Sequence, residues 1–133
     1  MGKPVEFADV VTAIGEYGTL ATLVTVDDEG GPHIGTVLVE LGADTLSVEV
    51  GPSTASYVAA RPAVSLCWIR DGADYQLIVD GRAVADPDPD PGAGAGTAGL
   101  HRLTITATGG IRHRLAGRPD AGPSCVALGG PAG

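Results

Sequence analysis

A chain of 133 residues with a formal net charge of −8 has the size of one domain, and an acidic body repels nucleic acid and anionic membrane alike. No apolar run approaches the roughly 18 residues that a membrane-spanning helix needs, and Met1–Glu6 lacks the apolar stretch of a secretory signal, so a cytoplasmic protein with neither membrane nor nucleic-acid partners is expected. Hydrophobic residues make up 44% of the chain and aromatic ones only 4%, so Val, Leu, Ile and Ala must fill the core, which suits narrow packed sheets.

In chain order, Phe7, Val10, Val11, Ile14 and Tyr17 recur at helical spacing and predict a short amphipathic helix over 6–17, ended by Gly18 in a left-handed cap. From Thr19 the period changes. Thr19–Val26 is apolar on both faces, Asp27–Pro32 is a turn, and His33–Leu41 returns as one strand to complete a hairpin. After Gly42-Ala43-Asp44, residues 45–50 alternate, with Leu46, Val48 and Val50 on one face and Thr45, Ser47 and Glu49 on the other. Thr54–Arg61 reads as two helical turns with Ser53 as N-cap and Pro62 blocking continuation.

Residues 63–69 and 75–85 predict a second long hairpin around Arg70–Asp74. Residues 86–99 (DPDPDPGAGAGTAG) form a low-complexity connector whose Asp-Pro part is extended and self-repelling. Leu100–Thr108 and Ile111–Leu115 predict a last hairpin turning at Gly109-Gly110, and 116–133 is an irregular tail expected as coil. Turn signals every 8 to 12 residues argue a β-barrel or sandwich, and periodicity does not choose between them.

Charge is uneven. Residues 1–60 hold one cation, Lys3, against nine carboxylates, and residues 61–133 hold seven of each sign. An anionic ligand must therefore be held by Arg61, Arg70, Arg82, the C-terminal arginines or backbone amides. Cys67, inside an apolar strand, reads as a buried thiol, and its spacing to Cys125 gives no reason for a disulfide. His33, His101 and His113 lack metal-ligand spacing, so no metal site is expected. No phosphate loop of nucleotide-binding type and no nucleophile elbow occurs. His33 reads as a solvated strand end rather than a catalytic base, because no acid or nucleophile is placed beside it. Arg112-His113-Arg114, with Arg102 and Arg118, reads as a solvated strand face balancing the acidic body.

The order of these segments, with Leu20-Ala21-Thr22-Leu23 before an acidic turn, Gly31-Pro32-His33-Ile34 opening the second strand, Ser53–Pro62 bridging the third and fourth, and Asp80-Gly81-Arg82-Ala83 late in the fifth, resembles the pyridoxamine phosphate oxidase-like superfamily of FMN-binding split barrels. The resemblance covers residues 6–85 well and 100–115 weakly. It implies a mainly β, antiparallel split barrel of six or seven strands, Greek-key in type, with two short helices, as a single domain over 1–133. It also implies a homodimer with FMN in the groove between subunits.

On that resemblance, Thr36, Val37 and Leu38 border the flavin ring with Val50 nearby. The phosphate sits by Ser53, Thr54 and Ser56 at the start of the second helix, where free amides and the helix dipole favour an anion. Trp68 is either core or a flavin-edge contact, and Arg82 is a candidate cation. The chain departs from the pattern in having no Lys or Arg near Thr54, so the charge-assisted bonds that strengthen phosphate binding are missing there. The function implied is a flavin-dependent oxidoreductase of unstated substrate, with no catalytic acid or base evident and the flavin supplying the redox chemistry. A deazaflavin-binding split barrel and a non-catalytic dimeric module without its flavin are the alternatives; an oligonucleotide-binding barrel is opposed by charge and by the scarcity of stacking aromatics.

Overall fold

The computed structural model describes residues 5–86, 99–118 and 120–129. Along these run α1 (Phe7–Tyr17), β1 (Leu20–Val26), β2 (Pro32–Leu38), β3 (Glu40–Leu41), β4 (Leu46–Val50), α2 (Pro52–Ala60), β5 (Ala63–Trp68), β6 (Tyr75–Ala85), β7 (His101–Arg114) and β8 (Cys125–Ala127). All strand pairs are antiparallel, in the order β2-β1-β5-β6-β7-β4-β3, with β8 added beside β7. The sheet curls into a half-barrel, which decides between barrel and sandwich. The connector expected over 86–99 lies almost wholly outside the described residues.

Burial follows the two-residue period. Ala21, Leu23 and Thr25 on β1 face inwards, as do Leu46, Val48 and Val50 on β4, Val64, Leu66 and Trp68 on β5, and Leu103 and Ile105 on β7. The helix α1 buries Val10, Ala13 and Ile14 and packs on β6 and β7; α2 buries Ala55 and Val58 and packs on β1, β6 and β7. Fully burying one such Val, Leu or Ile is worth about 1.5–3 kcal/mol, so these small aliphatic side chains supply the main drive to fold.

Several sequence expectations are corrected. The second strand, expected unbroken over His33–Leu41, divides at Val39: the Val39 amide donates to Thr19 O on the β1 side, while Glu40 and Leu41 pair with Ser47 and Leu46 of β4. One ribbon thus serves both ends of the sheet. The N-cap of α2 is Gly51, not Ser53, because Pro52, with φ already near the helical value, occupies the first helical position. Gly18 does end α1 with positive φ, but its ψ of −176° is extended and not that of a left-handed cap.

The last hairpin is absent. β7 is a single 14-residue strand that runs through Gly109-Gly110 and pairs along β6 from Tyr75 to Ala85, with a register shift at Asp80/Gly81. Glycine serves close approach here rather than turning: a Cβ on Gly81 would stand 2.7 Å from both Ile105 Cγ2 and Thr106 O, and one on Gly110 would stand 2.7 Å from Leu128 Cδ1. The tail is not coil throughout, since Cys125–Ala127 adds to β7 opposite Ile111–His113 and Leu128 is buried. No helix among the described residues is long and apolar enough to cross a membrane.

Candidate functional site

The ribbon that divides at Val39 leaves the cylinder open on one side. Among the described residues, β2 is hydrogen-bonded only to β1, and on its side away from β7 β4 is paired only at Leu46 and Ser47 by β3. Between Thr36–Leu38 and Val48–Val50, two strand edges therefore face each other across a slit. A cavity of about 330 Å³ lies in it, lined by Thr36, Val37, Leu38, Glu40, Ser47 and Glu49, among others. A second cavity of about 180 Å³ shares Thr36, Val37 and Glu49 with the first and continues to His33, Gly35, Val50, Gly51 and Thr54. Together they form a groove from the β3 corner to the first turn of α2.

Edges of this kind carry unpaired backbone donors and acceptors, which a planar heterocycle can use and which would otherwise need water. Leu38 and Thr36 are exposed and Val37 and Val48 buried, so the groove has an apolar floor and polar rim. At its mouth Arg102 donates to Glu40 Oε2 at 3.0 Å and to Ser47 Oγ at 3.2 Å. Both ionic partners are well exposed, so the pair contributes little to stability, about 0–1 kcal/mol, but it ties up the guanidinium. At the other end His33 Nε2 lies 3.2 Å from Thr54 Oγ1, and the imidazole stands edge-on to Tyr57, with ring centroids 5.2 Å apart at 74°.

Of the residues singled out from sequence, Thr36, Val37, Leu38, Val50 and Thr54 line this groove. Ser53 and Ser56 are exposed on α2 and line none of the cavities described here. Trp68 is 1% exposed in the core, its Nε1 without a hydrogen-bond partner. Arg82 borders a different depression on the outer sheet face, with Val24, Ser65, Asp80 and Thr108; there Ser65 donates to Asp80 at 2.7 Å. The polar face of β4 contributes Ser47 and Glu49, whereas Thr45 lies outside the groove.

Sequence reasoning missed Glu40, Leu100 and Arg102 as lining residues and treated His33 as a strand end. The alternation of β4 was the one signal available for Glu49; the others depend on β2 and β7 being brought to the two sides of β4. The Arg112–Arg114 stretch is not a free basic edge: Arg112 pairs with Glu16 at 2.7 Å and Arg114 donates to Gly122 O. The two groups whose titration the fold displaces, Tyr17 and Cys67, do not line the groove.

This split-barrel architecture is similar to that of solved structures described as pyridoxamine 5'-phosphate oxidase-like or FMN-binding. A pyridoxamine 5'-phosphate oxidase-related, FMN-binding protein of Nostoc punctiforme superposes with a TM-score of 0.63 at 14% identity, covering 84% of this chain and 85% of that one. An F420 reductase superposes at 0.58 with 19% identity over 74% of this chain and 93% of its own. A heme storage protein of Vibrio cholerae does so at 0.61 with 14% identity over 83% and 97%. No protein-family model and no curated protein matches the chain.

Proposed function

We propose that this chain binds a flavin, FMN or the deazaflavin F420, in the groove between β2 and β4 and acts with it as an oxidoreductase-like protein in a homodimer. The observation that carries the reading is the slit between the two free strand edges, continuous with a polar end at His33 and Thr54. The neighbours that bind FMN or reduce F420 support the same class of ligand on the same fold.

The residues present fit such a group. Thr36–Leu38 and Val48–Val50 offer backbone amides and carbonyls along the ring, Ser47 and Thr36 offer hydroxyls, and Thr54 with His33 offers donors to a phosphate. Bound flavin would supply hydride transfer; this chain orients it, keeps one face dry on Val37 and Val48, and presents the other to substrate. At about 330 Å³, the larger of the two groove cavities stands at the small end of the usual ligand-pocket range of roughly 300–1,000 Å³, and it needs a second wall.

A second copy provides that wall. The outer face of β1 and β2 carries cross-strand apolar pairs, Leu20 with Leu38 and Val24 with Ile34, and Leu20, Ile34 and Leu38 are more than 60% exposed. Contiguous exposed apolar area of this sort marks an interface.

Titration of purified protein with FMN, F420 and hemin, read by fluorescence quenching or absorbance and by the melting midpoint, tests the proposal. A flavin that raises the midpoint progressively, with the logarithm of its concentration above Kd, is expected, together with a dimer in sedimentation that Leu20→Glu plus Ile34→Glu converts to monomer. Indifference to both flavins would support the non-catalytic module instead, and binding of hemin alone would overturn the flavin assignment.

A further inference from the structure

We propose that His33 selects the phosphoryl group of the flavin, an assignment that rests on the flavin reading above. The sequence places no Lys or Arg between Lys3 and Arg61, and among the described residues none lines the cavity at the start of α2. Arg61 pairs with Asp28, Arg102 is tied to Glu40 and Ser47, and Arg82 borders another depression. In the cavity at the start of α2, the side-chain donors are His33, Thr36 and Thr54, and His33 and Thr54 stand together at its α2 end.

His33 is aimed into the barrel by register. It pairs with Thr25, just as Gly35 pairs with Leu23 and Val37 with Ala21, and these β1 partners are all buried. Among the six inward positions of β1 and β2 it is the one ionisable side chain. The edge contact with Tyr57 and the hydrogen bond with Thr54 hold the ring from α2, with Nε2 facing Thr54 Oγ1. A hydroxyl can accept one hydrogen bond while donating another, so Thr54 can take the imidazole N–H and pass its own proton to a phosphoryl oxygen, or yield the imidazole donor to it directly.

Room exists for that group. A Cβ added to Gly35 or Gly51, both lining this cavity, would meet nothing within 4 Å. Glu49 also lines the cavity and opposes an anion, which makes a hydrogen bond from His33 to that anion the discriminating contact. Such bonds are worth about ten- to a hundredfold in affinity.

The test compares FMN with riboflavin, which lacks the phosphate, by fluorescence quenching in phosphate-free buffer. Wild-type protein is expected to prefer FMN by about tenfold or more. His33→Phe keeps the ring packing on Tyr57 but has no donor; it should bring the two affinities within about twofold of each other. His33→Gln, whose amide nitrogen stands near the imidazole Nε2, should keep the preference, and Thr54→Val, a change on the helix surface, should lose part of it. A preference for FMN undiminished in His33→Phe would overturn the assignment. Equal binding of both flavins by wild type would remove the phosphoryl subsite while leaving the flavin reading intact, and binding of neither would remove both.

Discussion

The side chain of Leu128 lies directly over Gly110: a methyl group on that glycine would stand 2.7 Å from the leucine Cδ1. The contact explains how Cys125–Ala127, in a stretch rich in Gly and Pro, is held against β7. β8 supplies only three residues of pairing to β7, and Leu128 anchors it by burial. Leu128→Ala should therefore lower stability by about 2 kcal/mol, at the low end for buried leucines because the site is at the sheet margin. Urea unfolding followed by tryptophan fluorescence of Trp68 measures it, and an unchanged midpoint would mean that the tail does not contribute to the core.

Two glycines should respond in opposite directions to the same substitution. Gly81→Ala drives a Cβ to 2.7 Å from the backbone oxygen of Thr106 at the β6–β7 register shift, and overpacking of this kind costs about 1–3 kcal/mol. Gly15→Ala, inside α1 with open space around the new methyl, should stabilise by about 0.5–1 kcal/mol. Thermal melts of the pair check both signs.

Alkaline pH should destabilise the fold. Burial pushes the Cys67 thiol above its ordinary range, and burial pushes up the Tyr17 hydroxyl too, partly offset by Arg112 and Arg70 beside it. Each group is neutral in the folded state over a wider range than in the unfolded chain. The stability this contributes is complete below the unfolded pKa values and is lost as pH rises through the folded ones. The melting midpoint should fall above about pH 9, less steeply in Cys67→Ala, and Cys67 should react with iodoacetamide more slowly than the exposed Cys125. A flat midpoint to pH 11 would contradict it.

Within the groove, Glu49→Gln should tighten FMN by a few-fold. Its carboxylate lines both cavities and repels a phosphate, but it is exposed, so solvent screens most of the effect. Weaker binding in Glu49→Gln would place the phosphate at some other end of the groove.

The amino-acid sequence by itself determined most of the local structure. Helical spacing from Phe7 to Tyr17, alternation over Leu46–Val50 and the turn at Asp27–Pro32 are statements about near neighbours, and side-chain period and turn chemistry are local physics. The order of those segments also carried the split-barrel resemblance, and with it Thr36–Leu38, Val50 and Thr54 as groove residues. Only the tertiary structure decided the rest. Gly109-Gly110 reads as a turn from the chain alone; it lies within one continuous strand, beside a register shift, because β6 has a full partner length to pair with and Leu128 needs the space. Whether Val39 continues a strand or turns a corner depends on Thr19 and Ser47, neither adjacent in sequence. The meeting of His33 with Thr54, 21 residues apart, and of Glu40 with Arg102, 62 apart, follows from closing the sheet on itself, which no local pattern encodes.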